Sequence, residues 1–307
     1  MTSRPLELRP PRRRRQQWQR RQSAVGYAWI APSFAVVGFI LLLPVVRAVQ
    51  YSLTDRTSFL AGQFVGLTNF KYLFTSHLFW LAFTNNLILL ISIPVTLVTG
   101  LVITGILYRG LRGSRLYEFL IFIPFLPAVA SIATVFVYAL SIQGPIDTML
   151  RSIGAGGVAQ PWLTDQTWAI WSVLGVVTWK RLGLTVLLFS ARMTGLDRTF
   201  FDAASVDGAS WSLTYRAVAI PQMRSVIGFA AVLGFIECFS WTFSYIYVLT
   251  NGGPDQATYT LEFLLYQDQF VQQLVGLASA IGVVLLIGAL AVASYRVRLL
   301  RRELSFG

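Results

Sequence analysis

The sequence predicts an all-α membrane protein of six transmembrane helices, with both ends on the cytoplasmic side. Three observations carry this expectation. Hydrophobic residues fill 55% of 307 positions and charged residues only 12%, about half the charged share of an ordinary soluble domain. The apolar residues come in runs long enough to cross ~30 Å of hydrocarbon, which takes about 20 helical residues. Basic residues crowd the ends of alternate runs, the asymmetry that sets orientation in a bilayer.

Taken in order, residues 1–24 form a basic tail with eight arginines, including Arg12–Arg15. The first span follows at about Val25–Val46. It is too long for the apolar core of a signal peptide and lacks a small-residue cleavage site after it, so it reads as a retained span. The next spans fall at about Leu81–Tyr108, Leu116–Ser141, Thr167–Ser190, Val226–Leu249 and Leu274–Tyr295, and residues 300–307 form a short tail. Prolines and glycines inside the runs (Pro44, Pro94, Pro124, Pro127, Gly183, Gly234) are tolerated where neighbouring helices re-satisfy the backbone. The stretch Gln143–Gln166 is rich in turn residues and reads as an external loop. With no repeat and no low-complexity linker, residues 25–299 read as one domain.

With the N-terminus inside, the cytoplasmic segments hold nineteen of the basic residues and the external ones four: Arg47, Arg56, Lys71 and Arg151. Lys180 and Arg181 fall inside the fourth run. The net charge of +12 is thereby explained as a topology signal with attraction for anionic lipid, and nucleic-acid binding is not expected. Cys238 is the only cysteine and His77 the only histidine, which removes a disulfide framework and a Cys- or His-based metal site. The chain has no G-x-x-x-x-G-K-[ST] phosphate loop, no H-E-x-x-H and no G-x-S-x-G. It is therefore not expected to be an enzyme, and any ATP hydrolysis that drives it belongs to a separate subunit.

Between the fourth and fifth spans, residues 193–223 form a polar cytoplasmic loop. Its residues Phe200–Ser205 favour a helix and include the small Ala203 and Ala204. Asp207-Gly208 then breaks the path: the aspartate can cap the next helix, and glycine can take a positive φ. Pro221 is expected in the first turn of the fifth span, where its missing N–H does no harm. The result is a helix, a sharp turn and a second helix leading back to the membrane.

This loop resembles the "EAA" loop of bacterial ABC-importer permeases. Asp202-Ala203-Ala204 stands where that family has Glu-Ala-Ala, Asp207-Gly208-Ala209 matches its Asp-Gly-Ala, and Tyr215, Val218 and Ile220 stand for its Phe, Ile and Leu. Pro221 closes the pattern, and every spacing is kept. Other segments extend the resemblance to permeases of the maltose and glycerol-3-phosphate type: Phe64-Val65-Gly66-Leu67-Thr68-Asn69-Phe70, Asn85-Asn86, Trp179-Lys180, Tyr245–Thr250 and Asn251-Gly252-Gly253-Pro254. The resemblance implies a type I ABC-importer permease fold in a bacterial cell membrane and the first permease partner of a heterodimeric pair. It further implies two ATPase subunits that carry ATP and magnesium, an external substrate-binding protein, and no cofactor in this chain. In that family the loop docks in a groove of the ATPase. The implied substrate is a sugar or oligosaccharide, with glycerol-3-phosphate or a glycerophosphodiester as the alternative. Two departures stand out: Asp202 is one methylene shorter than glutamate, and the large external domain of the maltose permease is missing.

Ionisable residues inside spans are costly and mark function by default. Lys180 and Arg181 in the fourth span and Glu237 in the fifth are therefore candidates for a translocation path, beside Trp179, Ser240, Trp241, Ser244 and Tyr245, a mixture of aromatic and hydrogen-bonding groups that suits a sugar. The competing reading is a structural ion pair between Glu237 and one of the two cations. Two rival functions remain on the sequence alone. An intramembrane enzyme lacks a partner carboxylate, metal ligand or histidine for Glu237. A transporter independent of ATP leaves the 193–223 loop without a purpose.

Overall fold

The computed structural model describes the backbone of residues 12–304 and the side chains of 29–292 and 294. The side chains of the basic tail 1–24 and the whole of the tail 300–307 as an expected unit lie outside the described side chains. Among the described residues every regular element is a helix, apart from one isolated antiparallel bridge between Thr54 and Phe64.

Helix α1 (Arg12–Ser52) is followed by the short α2 (Thr68–Thr75), then α3 (His77–Leu90) and α4 (Ser92–Tyr108). Next come α5 (Ser114–Phe122), α6 (Val129–Ala139) and the short α7 (Pro145–Ser152). The central helix is α8 (Ala169–Thr194). Beyond it lie α9 (Arg198–Val206), α10 (Trp211–Thr214), α11 (Ile220–Gln222), α12 (Arg224–Ser240), α13 (Thr242–Leu249), α14 (Leu261–Tyr266) and α15 (Val275–Leu304). Four stretches are long and apolar enough to cross a membrane: Trp29–Ser52, His77–Tyr108, Ala169–Thr194 and Val275–Val292. The number rises to six if each of two bent helix pairs counts as one crossing.

Burial ranks these helices. Half of the apolar window of α8 is buried, whereas none of the window in α1 is. Helix α8 is therefore the hub, contacting α3, α4, α5, α12 and α13, while α1 lies outside and packs along α15. An apolar core around Val173, Val177, Ile246 and Phe263 fills one end of the bundle. A second, around Phe189, Met193, Tyr215 and Met223, fills the end that carries the 193–223 loop.

The expected third span is not one helix. Residues Ser114–Phe125 and Val129–Ala139 meet at 93°. Pro124 and Pro127 explain the corner, because each removes a backbone N–H and clashes with the carbonyl four residues earlier. The expected fifth span is also divided: α12 ends at Ser240 and α13 begins at Thr242, with Trp241 between them. A further bend of 68° separates Trp211–Gln222 from Arg224–Ser240 at Met223. Pro221 accordingly sits in α11, ahead of this bend, and not in the first turn of the fifth span as expected. The wide turn Tyr215–Ala219, in which the Ile220 N–H reaches back to the Tyr215 carbonyl, precedes Pro221. Such a widened turn accommodates a proline ring that would crowd a regular helix.

Two asparagines at the middle of α3 hold the segment that leads into α14. Asn85 donates through Nδ2 to the carbonyls of Ala257 and Tyr259, both at 2.8 Å. The Asn86 amide nitrogen donates to the Glu262 carboxylate at 3.1 Å, and its oxygen accepts from the Leu261 N–H at 2.8 Å. Both asparagines are buried, and these bonds satisfy amides that would otherwise be costly there.

Candidate functional site: a charged cavity and a loop turn

Lys180 and Arg181 lie side by side on the buried part of α8, and the structure treats them differently. Arg181 uses all three of its nitrogens. Its Nε donates to Glu237 Oε2 at 2.9 Å, Nη1 to Ser92 Oγ at 2.8 Å and Nη2 to the Gly234 carbonyl at 3.0 Å. One planar guanidinium thus ties α8 to α12 and to the first residue of α4, using its fixed fork of donors. Of the two cations that could pair with Glu237, the geometry selects Arg181.

Lys180 points the other way, to the corner between α5 and α6. Its Nζ donates to the Phe125 carbonyl at 2.8 Å and stands 4.8 Å from the centre of the Phe125 ring. That carbonyl is available because Pro124 and Pro127 interrupt the helical ladder at the corner.

Both cations and Glu237 border a cavity of about 300 Å³. Its remaining wall comes from Phe125 and Pro127 at the corner, and from Trp241, Thr242 and Tyr245 at the α12–α13 break. The two broken helices therefore face one another across this space. Trp241 is half exposed at its edge, and Tyr245 is buried in its wall. Ser240 and Ser244 do not border it, although the sequence grouped them with the path; they fall on other faces of the broken helix. Trp179 is also turned away and packs edge-on against Phe136 at 5.2 Å. Phe125 and Pro127, missed in the sequence, belong to the wall because of the corner that Pro124 and Pro127 themselves signal.

The second feature is the 193–223 loop. Asp197 opens α9 by accepting the Thr199 N–H at 2.9 Å, and this bond holds its carboxyl below the usual carboxylate range. Contrary to the sequence expectation, Asp207 does not open the next helix but caps the end of α9, with its N–H on the Ala203 carbonyl. Ser210 occupies the start of α10. Gly208 takes φ +74°, the left-handed conformation that glycine adopts without a Cβ penalty. Ala209 then donates its N–H to the Ala204 carbonyl at 2.9 Å, closing the turn.

Asp202, Ala203 and Asp207 are exposed, and Ala204 and Ala209 half-buried. Phe200, Val206 and Leu213 leave large apolar surface uncovered on the same loop, Val206 being 86% exposed. Tyr215 is the opposite case. It is buried against α4, donating its hydroxyl to the Leu101 carbonyl at 2.8 Å. Trp211 stacks on Tyr215 and on Phe201 at 6.0 Å. The loop thus has an anchored rear and an open, partly apolar front.

A helical bundle with broken helices around a charged cavity, and an open loop at one end, suits a membrane permease. The chain belongs to the family of binding-protein-dependent transport system inner membrane components, whose model matches residues 92–304. It is 29% identical over 251 residues to the lactose transport system permease protein LacF of Rhizobium radiobacter, covering 80% of this chain and 83% of that one. It is 26% identical over 291 residues to the sn-glycerol-3-phosphate transport system permease protein UgpA of Agrobacterium fabrum, covering 92% and 96%. The fold is similar, with a TM-score of 0.80 and 19% identity, to a chain of a bacterial ABC transporter involved in import of the acidic polysaccharide alginate; the match covers 94% of this chain and 99% of that one.

Proposed function

We propose that this chain is a permease subunit of an ATP-driven importer of sugars or oligosaccharides in the cell membrane, and that the cavity between the α5–α6 corner and the α12–α13 break is part of its translocation path. The family membership supports the permease role, and the similarity to the lactose permease supports the substrate class. The observation that carries the reading at the level of this chain is the loop: an anchored rear at Tyr215 and an exposed front of Phe200, Asp202, Val206 and Asp207 around a left-handed Gly208. That front is the surface on which a separate ATPase subunit docks. ATP-driven closure of two such subunits moves the loop, and the bundle rocks so that the cavity opens to the outside and then to the inside. A sister permease completes the path, and an external binding protein delivers the substrate. In this reading the chain crosses the membrane six times, with both termini and the loop in the cytoplasm.

A second reading, import of glycerol-3-phosphate or a glycerophosphodiester, is favoured by the Lys180 ammonium at the cavity and by the similarity to UgpA. The test is reconstitution of the chain in liposomes with its sister permease, ATPase and binding protein. Labelled sugar should accumulate only with ATP, and Ala204→Arg should abolish accumulation without preventing insertion. Accumulation driven by an ion gradient in the absence of the ATPase would remove the importer reading.

A further inference from the structure

Three ionisable side chains border the cavity, and their formal charges do not cancel. Glu237 is committed to Arg181 at 2.9 Å, and all the directed bonds of Arg181 go to Glu237, Ser92 and Gly234. Lys180 has no carboxylate partner among the described residues. Its ammonium carries three donors, and one of them goes to the Phe125 carbonyl. The lysine is only 6% exposed, and among the described residues its remaining donors meet no acceptor. A buried cation without a counter-charge is costly, and inside membrane spans such groups mark substrate or ion pathways. A carbonyl and an aromatic face hold the ammonium in place but do not neutralise it.

Resting on the sugar-importer reading of this cavity, we propose that Lys180 is a specificity-determining residue that receives an oxyanion, a carboxylate or a phosphate, borne by the substrate. Trp241 at the cavity edge offers a face for the sugar ring, and Oε1 of Glu237, the oxygen that Arg181 leaves free, accepts from ring hydroxyls. The excess charge of one lysine matches one anionic group per unit bound. Arg181 is a positioning residue here: it fixes Glu237 and cannot turn to the ligand without losing three bonds.

The test uses the assembled importer in lipid nanodiscs and three probes that differ only in charge and its carrier: galactose, galacturonate and galactose 1-phosphate. Dissociation constants are measured for each by saturation-transfer NMR or labelled-ligand binding. The expected result is that at least one anionic probe binds about tenfold more tightly than galactose, the gain of a charge-assisted bond over a neutral one. The better of the two identifies the substrate as an acidic or a phosphorylated sugar. Lys180→Gln should abolish the preference, so that anion and galactose bind alike, whereas Lys180→Arg should keep most of it. In the unsubstituted complex, raising salt should weaken the anions and spare galactose, which tests the proposal even if Lys180→Gln does not assemble. Equal binding of all three probes, or a preference that survives Lys180→Gln, overturns the proposal and leaves the importer reading standing. Binding of none of them removes the sugar path itself, and the proposal with it.

Discussion

Trp211 donates its indole N–H to the carbonyl oxygen of Gly105 at 3.0 Å, so the loop between α8 and α12 is fastened to the last turns of α4. A β-carbon built on Gly105 would lie 2.8 Å from the Tyr215 ring, closer than real side chains approach. The glycine is therefore what lets the two aromatic rings of the loop lie against the helix.

Gly105→Val should push Tyr215 and Trp211 off α4. The loss of two hydrogen bonds and of packing predicts a destabilisation of roughly 2–4 kcal/mol, read as a drop in melting temperature of the purified complex. Uptake should fall further than stability. An unchanged melting temperature would show that the loop is not seated on α4 in this way.

Gly208→Val isolates the turn from its surroundings. No atom lies within 4 Å of where its Cβ would go, so any effect comes from the left-handed backbone, about 1–2 kcal/mol. The spans should insert normally, while co-purification of the ATPase, or the coupling of hydrolysis to uptake, should weaken. Wild-type values for uptake, hydrolysis and co-purification measured side by side would count against a docking role for the turn.

Glu237→Gln removes the counter-charge of Arg181 and strands a buried guanidinium, at a cost of ~3–5 kcal/mol in soluble proteins. Assembly of the complex should fall. Arg181→Met combined with Glu237→Gln should recover much of it, since the stranded charge is then gone. If the double variant is no better than the single one, Arg181 and Glu237 do not act as a pair.

Asp268, buried in the wide turn Gln267–Val271 ahead of α15, predicts a pH response. Burial pushes its carboxyl up to about 6. Because its folded pKa is raised, the stabilisation is complete below the unfolded value of 3.8 and is lost as pH rises through about 6. Local stability of this segment should fall across that window by up to about 3 kcal/mol. Hydrogen exchange at pH 4.5 and pH 7 should report it, and Asp268→Asn should flatten the difference.

The helical class, the placement of Lys180, Arg181 and Glu237 within apolar runs, and the positive φ of Gly208 were all legible in the sequence. Each depends on residues close together in the chain: a run length, a charge inside it, an Asp-Gly step. The 93° corner was signalled by Pro124 and Pro127, but proline within a span only permits a break, and the neighbours decide its angle. The division of labour between Lys180 and Arg181 was not legible, since adjacent residues on a helix face directions that packing alone assigns. Nor was Ser92 as an Arg181 partner, or Gly105 as the seat of Trp211. Those contacts join positions 89 and 106 residues apart, beyond the reach of any local pattern. For the same reason Ser240 and Ser244 were grouped with the path, because the break at Trp241 had not yet rotated them away.

The asparagine pair on α3 sets a timetable for biogenesis. Asn85 and Asn86 find their acceptors 172 to 176 residues further along the chain. At a synthesis rate of roughly 5–20 residues per second, that interval is on the order of ten to thirty-five seconds. Throughout it, two side-chain amides in an apolar helix have emerged without the groups that satisfy them. The early helices must therefore stay near water, a lipid headgroup or the insertion machinery until residues 257–262 arrive, and final docking of α3 is a late event even though its sequence is made early.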